Sequence, residues 1–135
     1  MTATILVVDD EPDLELLVSH KFRRQIRDCK FCFLFAGDGE QALSELKETP
    51  GVAVVLSDIN MPRMDGLTLL REIEKNALNG ALRAVIVSAY GDATNIETAM
   101  NLGAFDFITK PIEFDNLHVT IDRALEDLQQ SSTDQ

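Results

Sequence analysis

The chain has 135 residues, 45% hydrophobic and 26% charged, a composition suited to one globular domain with its own core. Its 23 acidic and 12 basic residues leave a formal net charge of −11, which repels phosphate backbones and anionic lipid and argues against direct contact with nucleic acid or membrane. No apolar run approaches bilayer-spanning length. The first apolar stretch runs into Asp9, Asp10 and Glu11 with no basic lead-in or small-residue cleavage site, so no signal peptide is expected and a cytoplasmic location is.

Strand and helix signals alternate from end to end. Thr4-Ile5-Leu6-Val7-Val8 is a continuous aliphatic run, as expected of a strand buried on both faces. A helix follows, with Pro12 near its first position, acids in its first turn, and Leu14, Leu17, Val18 and Phe22 at helical spacing. Residues 31–35 read as the second strand, Gly37-Asp38-Gly39 as a turn, and Ala42, Leu43 and Leu46 mark a second helix broken at Pro50-Gly51. Residues 52–56 form the third strand, ending at Ser57-Asp58. A loop through Gly66 then leads to a third helix carrying Leu67, Leu70 and Ile73. After an Asn79-Gly80 turn, residues 82–87 form the fourth strand, ending at Ser88. A fourth helix over 91–102 is stopped by Gly103, residues 105–109 form the fifth strand, and a last helix covers about 113–130 before a polar tail, 131–135. Strand–helix units without hairpin signals predict an α/β fold: a parallel sheet with helices on both faces, in one domain over 1–130.

Sites in such sheets form beyond the carboxyl ends of the strands. Here those ends carry Asp9 and Asp10, then Asp58, then Ser88, then Lys110. Each alone could be a helix cap or a solvated charge, but together they converge on one end of one sheet. Clustered carboxylates repel and need a cation. Hard oxygen ligands suit Mg2+, or Mn2+ in its place, and no nearby histidine or cysteine favours zinc. A carboxylate is also a competent nucleophile for phosphoryl transfer. Asp58 is the best candidate, because it stands alone at the end of a central strand while Asp9 and Asp10 act as a pair. Lys110 and Ser88 could hold the remaining phosphoryl oxygens.

The segments Val7-Val8-Asp9-Asp10-Glu11-Pro12, Leu56-Ser57-Asp58-Ile59-Asn60-Met61-Pro62-Arg63-Met64-Asp65-Gly66, Val87-Ser88-Ala89 and Phe105-Asp106-Phe107-Ile108-Thr109-Lys110-Pro111 carry a specific resemblance. The chain resembles, over nearly its whole length, the receiver domain of bacterial two-component response regulators. The resemblance implies a doubly wound five-stranded parallel sheet of flavodoxin-like order 2-1-3-4-5. It implies Asp58 as phosphoacceptor, and Mg2+ bound by Asp10, Asp58 and the Asn60 backbone carbonyl, with Asp9 acting largely through water. Lys110 would pair with the phosphoryl group, Ser88 would swing toward it, and Phe107 would fill the place of the family's switch aromatic. The Lys110–Pro111 bond is typically cis in that family.

The resemblance further implies a histidine kinase or histidine phosphotransfer protein as donor. The altered surface would comprise the fourth helix, fifth strand and fifth helix, acting on an output protein or fused output domain. The domain would be a switch rather than a turnover enzyme. Asn60 and Tyr90 occupy the family's lifetime-tuning positions, and bulky Tyr90 suggests a fairly long-lived phosphoryl group.

Competing readings fit less well. A flavodoxin-like cofactor domain needs a Ser/Thr/Gly-rich phosphate loop where this chain has Asp9-Asp10-Glu11, and an aspartyl phosphatase needs its nucleophile after the first strand, commonly as DxD, a spacing that Asp9-Asp10-Glu11-Pro12 does not give. The remaining alternative is a receiver module that binds proteins independently of phosphorylation. In the last helix, Phe114, Leu117, Ile121, Ala124 and Leu128 recur at coiled-coil spacing. Leu117 and Ile121 are expected to pack on the sheet, whereas a helix running past Leu128 could pair with its twin in a phosphorylation-dependent homodimer. Cys29 and Cys32 read as small hydrophobes beside a strand rather than a redox or zinc pair. His20 and His118 read as surface or packing residues.

Overall fold

The computed structural model describes residues 2–61, 63–76, 78, 81–89 and 91–133. Five strands, β1 (Ala3–Val8), β2 (Phe31–Ala36), β3 (Val52–Ser57), β4 (Arg83–Ser88) and β5 (Asp106–Thr109), form one parallel sheet in the order β2-β1-β3-β4-β5. The helices are α1 (Pro12–Lys21), α2 (Arg23–Arg27), α3 (Gly39–Glu48), α4 (Gly66–Lys75), α5 (Ala93–Asn101) and α6 (Phe114–Thr133). No helix among the described residues is long and apolar enough to cross a membrane.

The period of two along each strand sends alternate side chains to opposite faces. Leu6, Val8, Val55 and Ile86 pack with Ala42, Leu46, Leu69, Leu70, Ile73 and Ala99, so α3, α4 and α5 cover one face. Ile5, Val7, Val54, Leu56, Val85 and Val87 pack with Val18, Phe22, Leu117, Ile121 and Ala124, so α1 and α6 cover the other. Because both faces are covered, the central strands are aliphatic throughout rather than alternating.

Aspartates open three of the helices. Asp38, Asp65 and Asp92 accept hydrogen bonds from the backbone N–H of Gln41, Thr68 and Asn95 at the starts of α3, α4 and α5. Their charges also oppose the positive end of the helix dipole. α5 ends as expected: Gly103 takes φ +98°, and the N–H groups of Gly103 and Ala104 return to the Met100 and Ala99 carbonyls.

Several local expectations change. The first helix is two, because the backbone at Phe22 leaves helical geometry (φ −105°, ψ 20°) while its ring is buried among Phe31, Phe33, Phe114 and His118. The helices numbered fourth and fifth from the sequence are therefore α5 and α6. Leu17 lies off the buried stripe and is exposed, leaving Val18 as the buried anchor of α1 and Phe22, just past its end, as the buried anchor of the α1–α2 break. Cys29 and Cys32 are free thiols, and both are exposed rather than packed. His118 packs edge-on against Phe22 and Phe31, and exposed His20 meets Arg23. α6 continues to Thr133, beyond the expected end near Gln130. The Asn79-Gly80 turn lies outside the described residues.

The α6 stripe is divided by burial. Leu117, Ile121 and Ala124 are at most 1% exposed, whereas Leu128 is half-buried. Ile121→Ala is expected to cost about 2–5 kcal/mol in urea unfolding, as a buried truncation does, and Leu128→Ala clearly less. Equal losses at both positions would contradict this division of the helix.

Candidate functional site

Parallel pairing carries the chain one step past the strand ends before it turns away. The Asp58 N–H donates to the Val8 carbonyl (3.0 Å), the Asp9 N–H to the Ala36 carbonyl (3.0 Å), and the Lys110 N–H to the Ser88 carbonyl (2.9 Å). These bonds extend the β1–β3, β1–β2 and β4–β5 pairings, and with the β3–β4 ladder they bring the ends of all five strands to one edge. The Lys110–Pro111 peptide bond is cis, as the sequence resemblance implied.

Lys110 stands between the carboxylates. Its Nζ donates to Asp9 Oδ2 at 2.9 Å, Asp58 Oδ2 at 2.9 Å and Glu11 Oε1 at 3.3 Å. The other Asp58 oxygen accepts the Ile59 N–H at 2.7 Å and, more weakly, the Asn60 N–H at 3.4 Å. The second oxygen of Asp9 accepts the Glu11 N–H at 3.0 Å. Both acids are therefore held in one orientation without a further ligand. Asp10 is exposed, and one oxygen from each of Asp9, Asp10 and Asp58 lies within 4.8 Å of the others.

The charge balance of this group is unfavourable. Burial raises the Asp9 carboxyl above its usual value, and the neighbouring Asp58 charge adds to this, although hydrogen bonds from Lys110 and the Glu11 N–H pull the other way. Burial alone would lower the Lys110 ammonium, but its hydrogen bonds to Asp9 and Asp58 and their charges prevail and hold it well above the ordinary lysine value. Lys110 is thus one ammonium against three clustered carboxylates. The donor set fits a hard divalent ion: all oxygen, with one carboxylate, Asp10, open to solvent.

The remaining expected residues lie around this centre. Asn60 is exposed, two residues past Asp58. Ser88 is wholly buried at the end of β4, opposite Thr109 of β5. Phe107 is half-buried in β5 and packs against the α3–α5 side of the core. Tyr90 lies outside the described residues.

A family match accompanies this geometry: residues 5–122 match the response regulator receiver domain. The chain belongs to that family. The receiver is 37% identical over 123 residues to the transcriptional regulatory protein ZraR of Escherichia coli (strain K12), covering 90% of this chain and 26% of that protein. It is 32% identical to a probable chemotaxis protein CheY of Rhizobium etli, covering 87% and 88%. Among solved structures, a response regulator receiver domain protein from Clostridium thermocellum superimposes with a TM-score of 0.83 at 28% identity, covering 95% and 98%. A CheX–CheY–BeF3–Mg2+ complex from Borrelia burgdorferi gives 0.76 at 27% identity, covering 91% and 89%. The receiver spans about a quarter of the length of ZraR, the curated relative matched first.

Sequence reasoning missed a second ion pair beside the site. Asp38 is fully buried, caps α3, and accepts from Arg63 Nε at 2.8 Å and from Arg63 Nη2 at the same oxygen. The spacing Asp38-x-x-Gln41 was the available signal, since it is a capping-box pattern. The Gln41 side chain reaches back to the Gly37 N–H at 2.8 Å. Nothing in the sequence pointed from Asp38 to Arg63, 25 residues away.

The Gln41 N–H and Arg63 together outweigh burial and hold the Asp38 carboxyl below its usual range. The unfolded chain therefore takes up this proton first as pH falls. The stabilisation is complete above the ordinary carboxylate value of about 4 and drains away as pH drops through the lower folded value. Asp38→Asn keeps a capping oxygen but loses the charge. It should be less stable than wild type at pH 7, with the gap closing below about pH 4. Unfolding curves at a series of pH values check this, and a constant gap down to pH 2 would contradict it.

Proposed function

We propose that this receiver is a phosphoryl-accepting switch in which Asp58 is the acceptor. The observation that carries the reading is the Asp58 carboxylate held between the Ile59 N–H and the Lys110 ammonium, with Asp9 and Asp10 close enough to share a cation with it. An Asp58 oxygen attacks the phosphorus of a phosphohistidine. The O–P bond forms, the P–N bond breaks, and the leaving imidazole takes up a proton. The donor is a histidine kinase or a histidine phosphotransfer protein.

Asp10, Asp58 and the Asn60 carbonyl would hold Mg2+, or Mn2+ in its place, with Asp9 supporting the site through water. When bound, the ion offsets charge on the phosphoryl oxygens. The Mg2+ and BeF3 named with the Borrelia CheY support this reading. Lys110 already spans two carboxylates and can shift its donors to a phosphoryl oxygen. Ser88 and Phe107 then respond, and the α5–β5–α6 surface changes. That surface would act on an output protein or a fused output domain, and the much greater length of ZraR supports a fused arrangement. A homodimer formed on phosphorylation through the end of α6 belongs to the same reading, as does an Asn60- and Tyr90-tuned lifetime. The domain, residues 1–130, acts as a switch and not as a turnover enzyme.

Intact mass after incubation with acetyl phosphate and Mg2+ tests the central claim. Wild type should gain one phosphoryl group, and Asp58→Ala should gain none, nor should wild type with EDTA. An unmodified wild type, with acetyl phosphate and with a panel of histidine kinases, would favour a binding module that works independently of phosphorylation.

A further inference from the structure

The loop between β3 and α4, which carries Asn60, is fastened to the start of a different helix. Arg63 adopts φ +66°, a left-handed conformation unfavourable for a residue with a Cβ. That conformation accompanies the double donation of its guanidinium to Asp38, whose side chain has no exposure to solvent. One residue on, the Met64 carbonyl accepts the Gly39 N–H at 3.0 Å. The approach is so close that a Cβ on Gly39 would lie 2.6 Å from that oxygen. On the other side of Asn60, the Ile59 carbonyl accepts the Gly66 N–H at 3.0 Å, and a Cβ on Gly66 would lie 2.1 Å from the Asp58 carbonyl. Asn60 therefore sits between two clamped points, Ile59 on one side and Arg63–Met64 on the other.

We propose that Arg63, through its ion pair with buried Asp38, is a positioning residue for the divalent cation, holding the β3–α4 loop so that the Asn60 backbone carbonyl can serve as a ligand beside the carboxylate cluster. The proposal rests on the magnesium reading above. It makes no use of Arg63 as a ligand or as a partner of the phosphoryl group. A backbone carbonyl cannot be tuned by changing its own side chain, so its direction depends on what fixes the loop.

Coulomb attraction and positioning predict opposite signs here. Removing the Arg63 cation makes the region more negative, which by charge alone would tighten Mg2+ binding. Loosening the loop would weaken it. Magnesium demands near-ideal octahedral geometry, so a displaced carbonyl is poorly tolerated.

The test is the Mg2+ dissociation constant of the whole chain, by isothermal titration calorimetry below each variant's melting range. Arg63→Ala should raise it about tenfold, the scale of losing a residue that orients a metal ligand. Arg63→Lys, which keeps the charge without the fork, should recover part of the loss. Asp38→Ser retains a capping hydroxyl on α3 and should weaken binding as well, and the double variant should weaken it no more than the larger single change. A purely structural role would lower the melting temperature and leave the folded affinity in place. Equal or tighter Mg2+ binding by Arg63→Ala overturns the proposal. Should that variant not fold, an unchanged constant in both Arg63→Lys and Asp38→Ser overturns it. If wild type itself binds no Mg2+, the metal reading fails and the proposal falls with it.

Discussion

Three carboxylates brought to one edge of a sheet repel one another, and a single ammonium lies among them. Lys110 bridges Asp9 and Asp58 at 2.9 Å each. The arrangement draws two strand ends, β1 and β3, toward the end of a third, β5, which lies at the edge of the sheet beyond β4. Backbone pairing past the strand ends sets where the acids stand, and Lys110 makes that placement tolerable. Buried ion pairs of this kind seldom add much net stability, because desolvation takes back most of the Coulomb gain. What they provide here is a site that is organised and still short of positive charge.

The surrounding fold supplies rigidity to match. Ile5, Leu6, Val8, Val54, Val55 and Val85 are wholly buried, so the strands cannot shift without opening packed core on both faces. Close backbone approach does the rest: Gly66 lies against the Asp58 carbonyl with no room for a side chain. Residues that would otherwise belong to a mobile connection are thereby locked to the strand that carries the Asp58 carboxylate.

Much of this was legible in the sequence, and the reason is periodicity. Aliphatic runs too short for helices, each followed by a polar residue and a helical pattern, mark parallel strands and their carboxyl ends together. Asp9, Asp10, Asp58, Ser88 and Lys110 could therefore be assigned to one edge before any coordinates. Contacts that depend on distant side chains were not legible. The break at Phe22 follows from a cluster of rings that β2 and α6 gather around it, and local propensity gives no sign of it. The Asp38–Arg63 pair joins two loops, and its Arg63 partner adopts a backbone conformation that residue type does not announce. The exposure of Cys29 and Cys32 was misjudged because a small side chain beside an aliphatic run reads as core, whereas Cys29 lies in the turn before β2 and Cys32 on the edge strand itself.

The position of Lys110 also bears on how such a site could switch. A ligand shifts an equilibrium only by interacting differently with the two states. In the structure Lys110 is already satisfied by Asp9, Asp58 and Glu11, and Ser88 is buried at the end of β4. A phosphoryl group on Asp58 would make one carboxylate oxygen the bridge to phosphorus and add three acceptor oxygens and negative charge, offering Lys110 and the Ser88 hydroxyl further acceptors. Ser88 pairs with Thr109 in the β4–β5 ladder, and two residues back along the same ladder, on the same face, Ile86 pairs with Phe107. A pull on Ser88 would therefore be felt first where β4 meets β5, and Phe107 is only half-buried there. Its ring already packs on the α3–α5 side of the core, so any change in its seating is a packing change at the edge strand β5, away from the wholly buried central strands.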